Sequence, residues 1–349
     1  TIGLLENLMA NNLPINRDIV NEGIKILEKL IKILDVKDGE NVDLSDPNLL
    51  RQSTLADIDT LDIRHLIFID KSLENALSSN LDENLDKIDI NLDNKIANDI
   101  SDKIKDYIKN DLQLVNDQSL IKITSFLLKN NLKPTLRNIK YINKLDTSPE
   151  EFFREIQEIF YLDKKDVTYK IDTKPSEEYE NPTGLKFIST KEENLDKLNK
   201  IIVELGKEGK KDLEKIEELE NKIDFLRELN KDINFMFFPL DFGAKERLEG
   251  LMTFIKERKK RGLGEKINIL INLNTENLGN IRIYCTLIGD NLGIKMSVRE
   301  EDLEFFKSTE EKLIEKILTI GYSLKGIEYI IDEKISIIDS NVIKPSSSY

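Results

Sequence analysis

The sequence has 349 residues, a formal net charge of −14 at pH 7 and one cysteine. This length is enough for two or three domains with hydrophobic cores, and a single cysteine excludes an intrachain disulfide. The acidic balance argues against a general nucleic-acid binder, whose phosphate contacts need an excess of Lys and Arg.

No apolar run approaches the length of a membrane span, and no signal peptide is visible in the sequence. We therefore expect a cytoplasmic protein with no membrane insertion. As a whole, the chain is predicted to be α+β, with an all-helical N-terminal region and a small C-terminal domain that resembles an α/β sandwich.

Residues 1–162 are predicted to be helical, because apolar residues recur there every three or four positions. Two segments in this region, about 4–34 and about 120–145, resemble each other. Each reads as a helix, an Asn-Asn-Leu turn, a proline and a second helix, with the prolines at Pro14 and Pro134. The second copy carries one extra residue in this alignment. The pattern predicts a duplicated helix-turn-helix module, with chance similarity in an Asn-rich chain as the alternative.

The segment between the two copies is predicted to contain a loop at 35–46 and helices from 54 onward. It holds the only histidine, His65, which follows three aspartates and suggests a metal site: Asp57, Asp59 and Asp62. These acids alternate with apolar residues on a predicted helix, where acids normally lie on the solvated face. We therefore expect no metal and no cofactor.

Residues 163–190 are charged and polar and are predicted to be a linker. Residues 191–231 follow as a helical hairpin, which Gly206 and Gly209 divide. Residues 232–335 are predicted to form the C-terminal domain, and 336–349 a tail.

The C-terminal domain gives the clearest pattern in the sequence. Alternating apolar residues predict a strand from Ile267, a second strand to Ile288 and a third to Val298. An amphipathic helix follows and ends at Gly321, and a last apolar run predicts a final strand. The predicted order is strand, turn, strand, strand, helix, strand.

The turn between the first two of these strands carries a resemblance to a known family. The segment reads Leu273-Asn274-Thr275-Glu276-Asn277-Leu278-Gly279-Asn280-Ile281-Arg282-Ile283. It resembles the C-terminal domain of flagellar hook-length control proteins, in which a turn similar to Pro-Glu-x-Leu-Gly joins two strands. Thr275 stands where that family usually has proline. The resemblance covers roughly the last third of the chain.

The resemblance implies a non-enzymatic protein that binds the cytoplasmic domain of the flagellar export-gate switch protein. Such contact switches the type III apparatus from rod and hook substrates to filament substrates. Hook or hook-cap proteins are further partners that the resemblance suggests. The implied protein-binding residues are at the turn, on the next strand and on the helix: Leu278, Gly279, Ile281, Ile283 and Leu313. Core packing is the alternative explanation for Ile281, Ile283 and Leu313.

The N-terminal half departs from that family, many members of which have a long, polar and poorly ordered N-terminal half. The apolar stripes in residues 1–160 put the roles of ruler and exported substrate in doubt. A helical-repeat adaptor or scaffold is therefore the alternative function. A hydrolase is a remote third option, because a lone histidine and scattered acids give no recognisable catalytic pattern.

Overall fold

A computed structural model describes residues 2–11, 13–34, 40–44, 59–70, 102, 116–162, 188–207, 213–229, 233–241, 247–256, 266–275, 277–332 and 335–338. Contacts divide the chain into two units, Thr1–Leu145 and Asp146–Tyr349. The first unit holds mostly helices and the second a sheet with helices, so the predicted α+β class is confirmed. The sequence placed a boundary in 163–190 instead, a segment of which only 188–190 is described.

The described part of the first unit contains four α-helices, which we number α1 to α4: Ile2–Ala10, Arg17–Leu34, Asp117–Asn130 and Leu136–Thr147. The last of them crosses the boundary between the units by two residues. Their inward sides are apolar and fully buried at positions such as Leu4, Leu8, Ile33 and Leu127. This burial is what stabilises helices of this length, because helix propensity alone is too weak.

The two helix-turn-helix copies begin their turns with the same backbone hydrogen bond. Leu13 N donates to Leu8 O at 3.0 Å, and Leu132 N donates to Leu127 O at 2.9 Å. In the second copy the turn residue Asn131 has φ 52°, a left-handed conformation that Asn tolerates better than most residues. The distance in sequence from Leu8 to Leu127 equals the distance from Leu13 to Leu132, so these leucines are equivalent in the two copies.

The second helix of each copy also begins in the same way. The Asn16 side chain accepts a hydrogen bond from the N–H three residues ahead at 2.9 Å, and the Thr135 hydroxyl does so at 3.1 Å. Asn16 lies three residues after Leu13, and Thr135 lies three residues after Leu132, so the two turns have equal length. Arg17 directly follows the first cap, whereas Arg137 is the second residue after Thr135, so the extra residue of the alignment lies after the cap and not in the turn. The proline lies two residues before the cap at Pro14 and one residue before it at Pro134.

The first unit is not entirely helical. Strand β1, Glu40–Leu44, pairs antiparallel with strand β2, Leu66–Asp70. The sequence predicted a loop at 35–46 and helix through 54–77, and both predictions are wrong over these strands. The run from Leu66 to Ile69 is uninterrupted apolar sequence, which periodicity cannot assign to helix or strand. Pairing with β1 satisfies the backbone groups on one edge of this segment, which fixes it as a strand.

The second unit is built around a sheet of seven described strands, in sequence order from edge to edge. We number them β3 to β9: Ile188–Ser189, Ile233–Asp241, Arg247–Lys256, Lys266–Thr275, Gly279–Ile288, Asn291–Val298 and Ser323–Ile331. Neighbours are antiparallel except for β8 and β9, which are parallel. The last four strands, with a helix between β8 and β9, give the predicted series of elements.

Three helices of this unit precede most of the sheet in the chain: α5 Pro149–Leu162, α6 Glu192–Lys207 and α7 Leu213–Leu229. Phe153 of α5 packs on Phe235 of β4, with ring centroids 4.8 Å apart. Phe152 meets Phe225 of α7 at 6.0 Å. These aromatic contacts explain why α5 belongs to the second unit and not to the helical region before it.

On the opposite side of the sheet lies α8, Leu303–Thr319. Its Ile314 and Ile317 pack against Cys285, Ile294 and other apolar residues of the central strands. The helix ends before Gly321, which has φ +93° as a C-cap glycine requires. None of the helices in the described part of the chain combines the length and apolar composition needed to cross a membrane.

The C-terminal domain extends beyond its predicted limit at residue 335. Residues 335–338 follow β9 and are buried, with exposures between 2% and 4%. The sequence assigned 336–338 to a tail, because Ile-Ser-Ile-Ile is too short to show any periodicity. Tertiary contacts therefore determine the structure of residues 335–338, which we call the strap.

Candidate protein-binding site

The turn between β6 and β7, residues 275–279, is held by the side chain of Thr275. Its hydroxyl accepts a hydrogen bond from Leu278 N at 2.9 Å and donates one to Gly279 O at 2.9 Å. Gly279 has φ +65°, in the left-handed region that glycine adopts without strain. Thr275, which replaces the proline of the resembling family, thus fixes this turn through its hydroxyl and not through a restrained ring.

Arg299, which follows β8, covers the turn from outside. Its Nη2 donates to Asn277 O at 2.8 Å, and its Nε donates to Asp302 at 2.7 Å. The hydrogen bond with Asp302 is the main cause of a raised pKa for Arg299. The turn is therefore attached to the segment that leads into α8, and this end of the sheet presents one connected surface.

Three of the five predicted binding residues lie mainly inside the protein. Ile281 is 5% exposed and belongs to a core cluster with Met296 and Val298. Leu278 and Ile283 are partly buried and pack on the same cluster. Core packing accounts for these positions, so they support the site and do not form its surface. Gly279 contributes its backbone conformation.

Leu313 is the predicted residue that the structure leaves accessible. It lies on α8, and it is 37% exposed. Phe305, which the sequence reading missed, is 55% exposed on the first turn of the same helix. Phe305 and Leu313 are eight residues apart, so they lie about 12 Å apart along the helix axis. They are two accessible apolar side chains on α8, which begins beside the covered turn.

A sequence signal for Phe305 exists in hindsight. Phe305 and Phe306 are consecutive, and consecutive helical residues point about 100° apart, so the two rings leave the helix axis in different directions. Phe306 packs on the core cluster under Leu278, and the ring of Phe305 meets it edge-on with centroids 5.5 Å apart. The exposed ring of this pair is thus held in place by the buried one.

The sheet surface on the α8 side is only partly covered. Met252, Phe254, Ile269 and Ile271 are partly buried there, and Ile267 is 39% exposed. One helix about 10 Å wide cannot cover seven strands spaced about 4.8 Å apart. On the other side of the same strands, the residues are almost fully buried: Phe235, Leu251, Thr253, Ile255 and Leu270.

The described residues offer little for catalysis or metal binding. No group of His, Cys, Asp and Glu in the described ranges is arranged to hold a metal ion. Asp59 binds Arg137 through two hydrogen bonds of 2.8 and 2.9 Å, and Asp62 pairs with Arg64. Asp57 lies outside the described residues. Burial raises the pKa of the Cys285 thiol to about 11, which suits a core residue and opposes a nucleophile.

Comparisons of the chain with protein-family models, with curated proteins and with solved structures find no match.

Proposed function

We propose that the chain is a flagellar hook-length control protein that switches the substrate specificity of the type III export apparatus. The observation that carries this proposal is the Leu278-Gly279 turn within the series from β6 to β9. The resembling family has this turn in the same order of elements. The apolar residues Ile281 and Cys285, which belong to the alternation that suggested the resemblance, lie in the core beneath α8.

The mechanism is protein binding without chemistry on a substrate. The partner is the cytoplasmic domain of the export-gate switch protein, and hook or hook-cap proteins are secondary partners. Phe305 and Leu313 supply accessible apolar side chains on α8, and the charged groups of Arg299, Glu301 and Asp302 lie at the start of this helix. An apolar centre with a polar rim is the usual composition of a specific interface.

A calorimetric titration of the full chain with that cytoplasmic domain from the same organism tests the proposal. We expect saturable binding that Phe305→Asp weakens by roughly tenfold or more, as for a central aromatic anchor. Leu318→Asp is the matched control, because Leu318 is 54% exposed against 55% for Phe305. The two residues lie about 20 Å apart along α8 at about 1.5 Å per residue. Absence of binding, or equal loss in both variants, contradicts the proposal.

The alternative function, an adaptor whose helical modules bind partner helices, is favoured by one observation. The two helix-turn-helix copies have equal turns, and Met9 and Ile15 in the first copy are 65% and 48% exposed. A partner captured through Met9 and Ile15, and retained when Phe305 is replaced, would favour the adaptor. Loss of all binding with Phe305→Asp would favour the export switch.

A further inference from the structure

The strap, residues 335–338, is attached to two other parts of the second unit by polar contacts. Arg282 of β7 donates through Nη1 to Ile335 O at 3.0 Å. The Ser336 hydroxyl hydrogen-bonds to Asp146, in the last turn of α4, and accepts from Ile338 N at 3.1 Å. The strap therefore joins the end of α4 to the sheet.

The anchor on the sheet is a buried cation. Arg282 is 7% exposed, and burial lowers its pKa although Glu150 and Asp146 oppose that change. A buried guanidinium needs acceptors, and the strap carbonyl supplies one. Asn272, which faces Arg282 across β6 and β7, has a buried side-chain oxygen with no hydrogen-bond partner among the described residues. The polar site is thus incompletely satisfied with the strap seated.

The strap lies next to the candidate binding turn. Arg282 comes three residues after Gly279 on β7. Between them, Asn280 donates to Glu150 in the first turn of α5 at 3.1 Å. The first residues of β7 are therefore held from one side by the strap and by the start of α5. On the other side, Arg299 holds the turn itself.

We propose that the strap is a latch on the candidate binding site. When it is seated, it fixes the first half of β7 and the turn before it; when it is released, this end of the sheet opens while the rest of the unit keeps its structure. The unsatisfied Asn272 oxygen lowers the free energy needed for local opening here, because opening lets water reach it. The consequence for partner affinity rests on the function proposed above, whereas the latch itself does not.

Hydrogen exchange followed by mass spectrometry on the full chain, without any partner, tests the latch. Arg282→Met keeps the aliphatic length and removes the donor, and Ser336→Ala removes the hydroxyl that contacts Asp146 and Ile338 N. We expect exchange in peptides covering 277–284 to become about tenfold faster, as for loss of one buried hydrogen bond. Peptides covering the β7–β8 hairpin at 288–294 should change less than twofold.

Lys295→Met is the matched control. Lys295 is a cation on the same side of the sheet, and it pairs with Glu328 at 2.8 Å and not with the strap. It should leave exchange at 277–284 unchanged. Equal acceleration at 277–284 and 288–294, or no acceleration in either strap variant, overturns the latch. If Arg282→Met does not fold, Ser336→Ala alone decides between these outcomes. Neither result depends on whether the chain binds an export-gate protein.

Discussion

Replacing Ile281 by Ala separates a supporting role from a binding role at the candidate site. Ile281 is 5% exposed in a core cluster, so its truncation should destabilise the second unit by about 2–5 kcal/mol. Replacing Leu313 by Ala should lower the free energy of unfolding by less than about 1 kcal/mol. Leu313 is 37% exposed, so much of its side chain already contacts water. The two variants therefore differ in stability although both were predicted from the sequence as binding residues.

Cys285 provides the assay. It is the only cysteine, it is 8% exposed, and it packs beneath α8 on the strand that carries Ile281. Its rate of reaction with a thiol reagent at pH 8 under native conditions measures how often this part of the sheet opens. Since about 1.4 kcal/mol changes an equilibrium tenfold, Ile281→Ala should speed labelling at least 30-fold, roughly, and Leu313→Ala less than about sixfold. Equal rates in the two variants would refute the assignment of Ile281 to the core.

Three further predictions concern the pH range, the turn and the repeated module. Burial raises the pKa of Cys285 from 9.0 to about 11, so stability of the second unit should be full below pH 9 and fall by up to about 3 kcal/mol as pH rises through 11. Denaturation of Cys285→Ala, compared at pH 8 and 10.5, should lack this fall. Gly279→Ala should cost about 1–2 kcal/mol in the same thiol assay, because φ is +65° there; Gly293→Ala, where φ is not positive, is the control. Replacing the cap residue Asn16 or Thr135 by Ala should lower the stability of the helix start by about 1 kcal/mol in each case. Faster hydrogen exchange at the start of α2 or α4 measures this loss. Clearly unequal losses would contradict the equivalence of the two turns.

The series from β6 to β9 could be predicted from the sequence because its signals are local. Alternating apolar residues mark each strand, and Gly289 at φ +58° and Gly321 at φ +93° mark the positions where the backbone must turn. Such signals need no knowledge of neighbouring elements. The same alternation assigned Ile281 and Ile283 to one face, but it could not tell a core face from a binding face, because both are apolar.

Three other features depend on contacts between residues distant in the chain. Strand β2 exists because β1 pairs with it, and its apolar run fits a helix equally well. Helix α5 joins the second unit because Phe153 meets Phe235, 82 residues later. The strap is ordered by Arg282, 53 residues before it. The pattern of apolar residues within a short segment does not indicate which distant residues the segment contacts.

The central claim is that the chain switches flagellar export, and hook length measured by electron microscopy tests it most directly. In the organism that encodes the chain, deletion of its gene should leave export in the hook mode, which gives hooks longer than normal and few filaments. The intact chain and Leu318→Asp should restore normal hooks, whereas Phe305→Asp should not. Normal hooks and filaments in the deletion strain would contradict the claim and favour the adaptor.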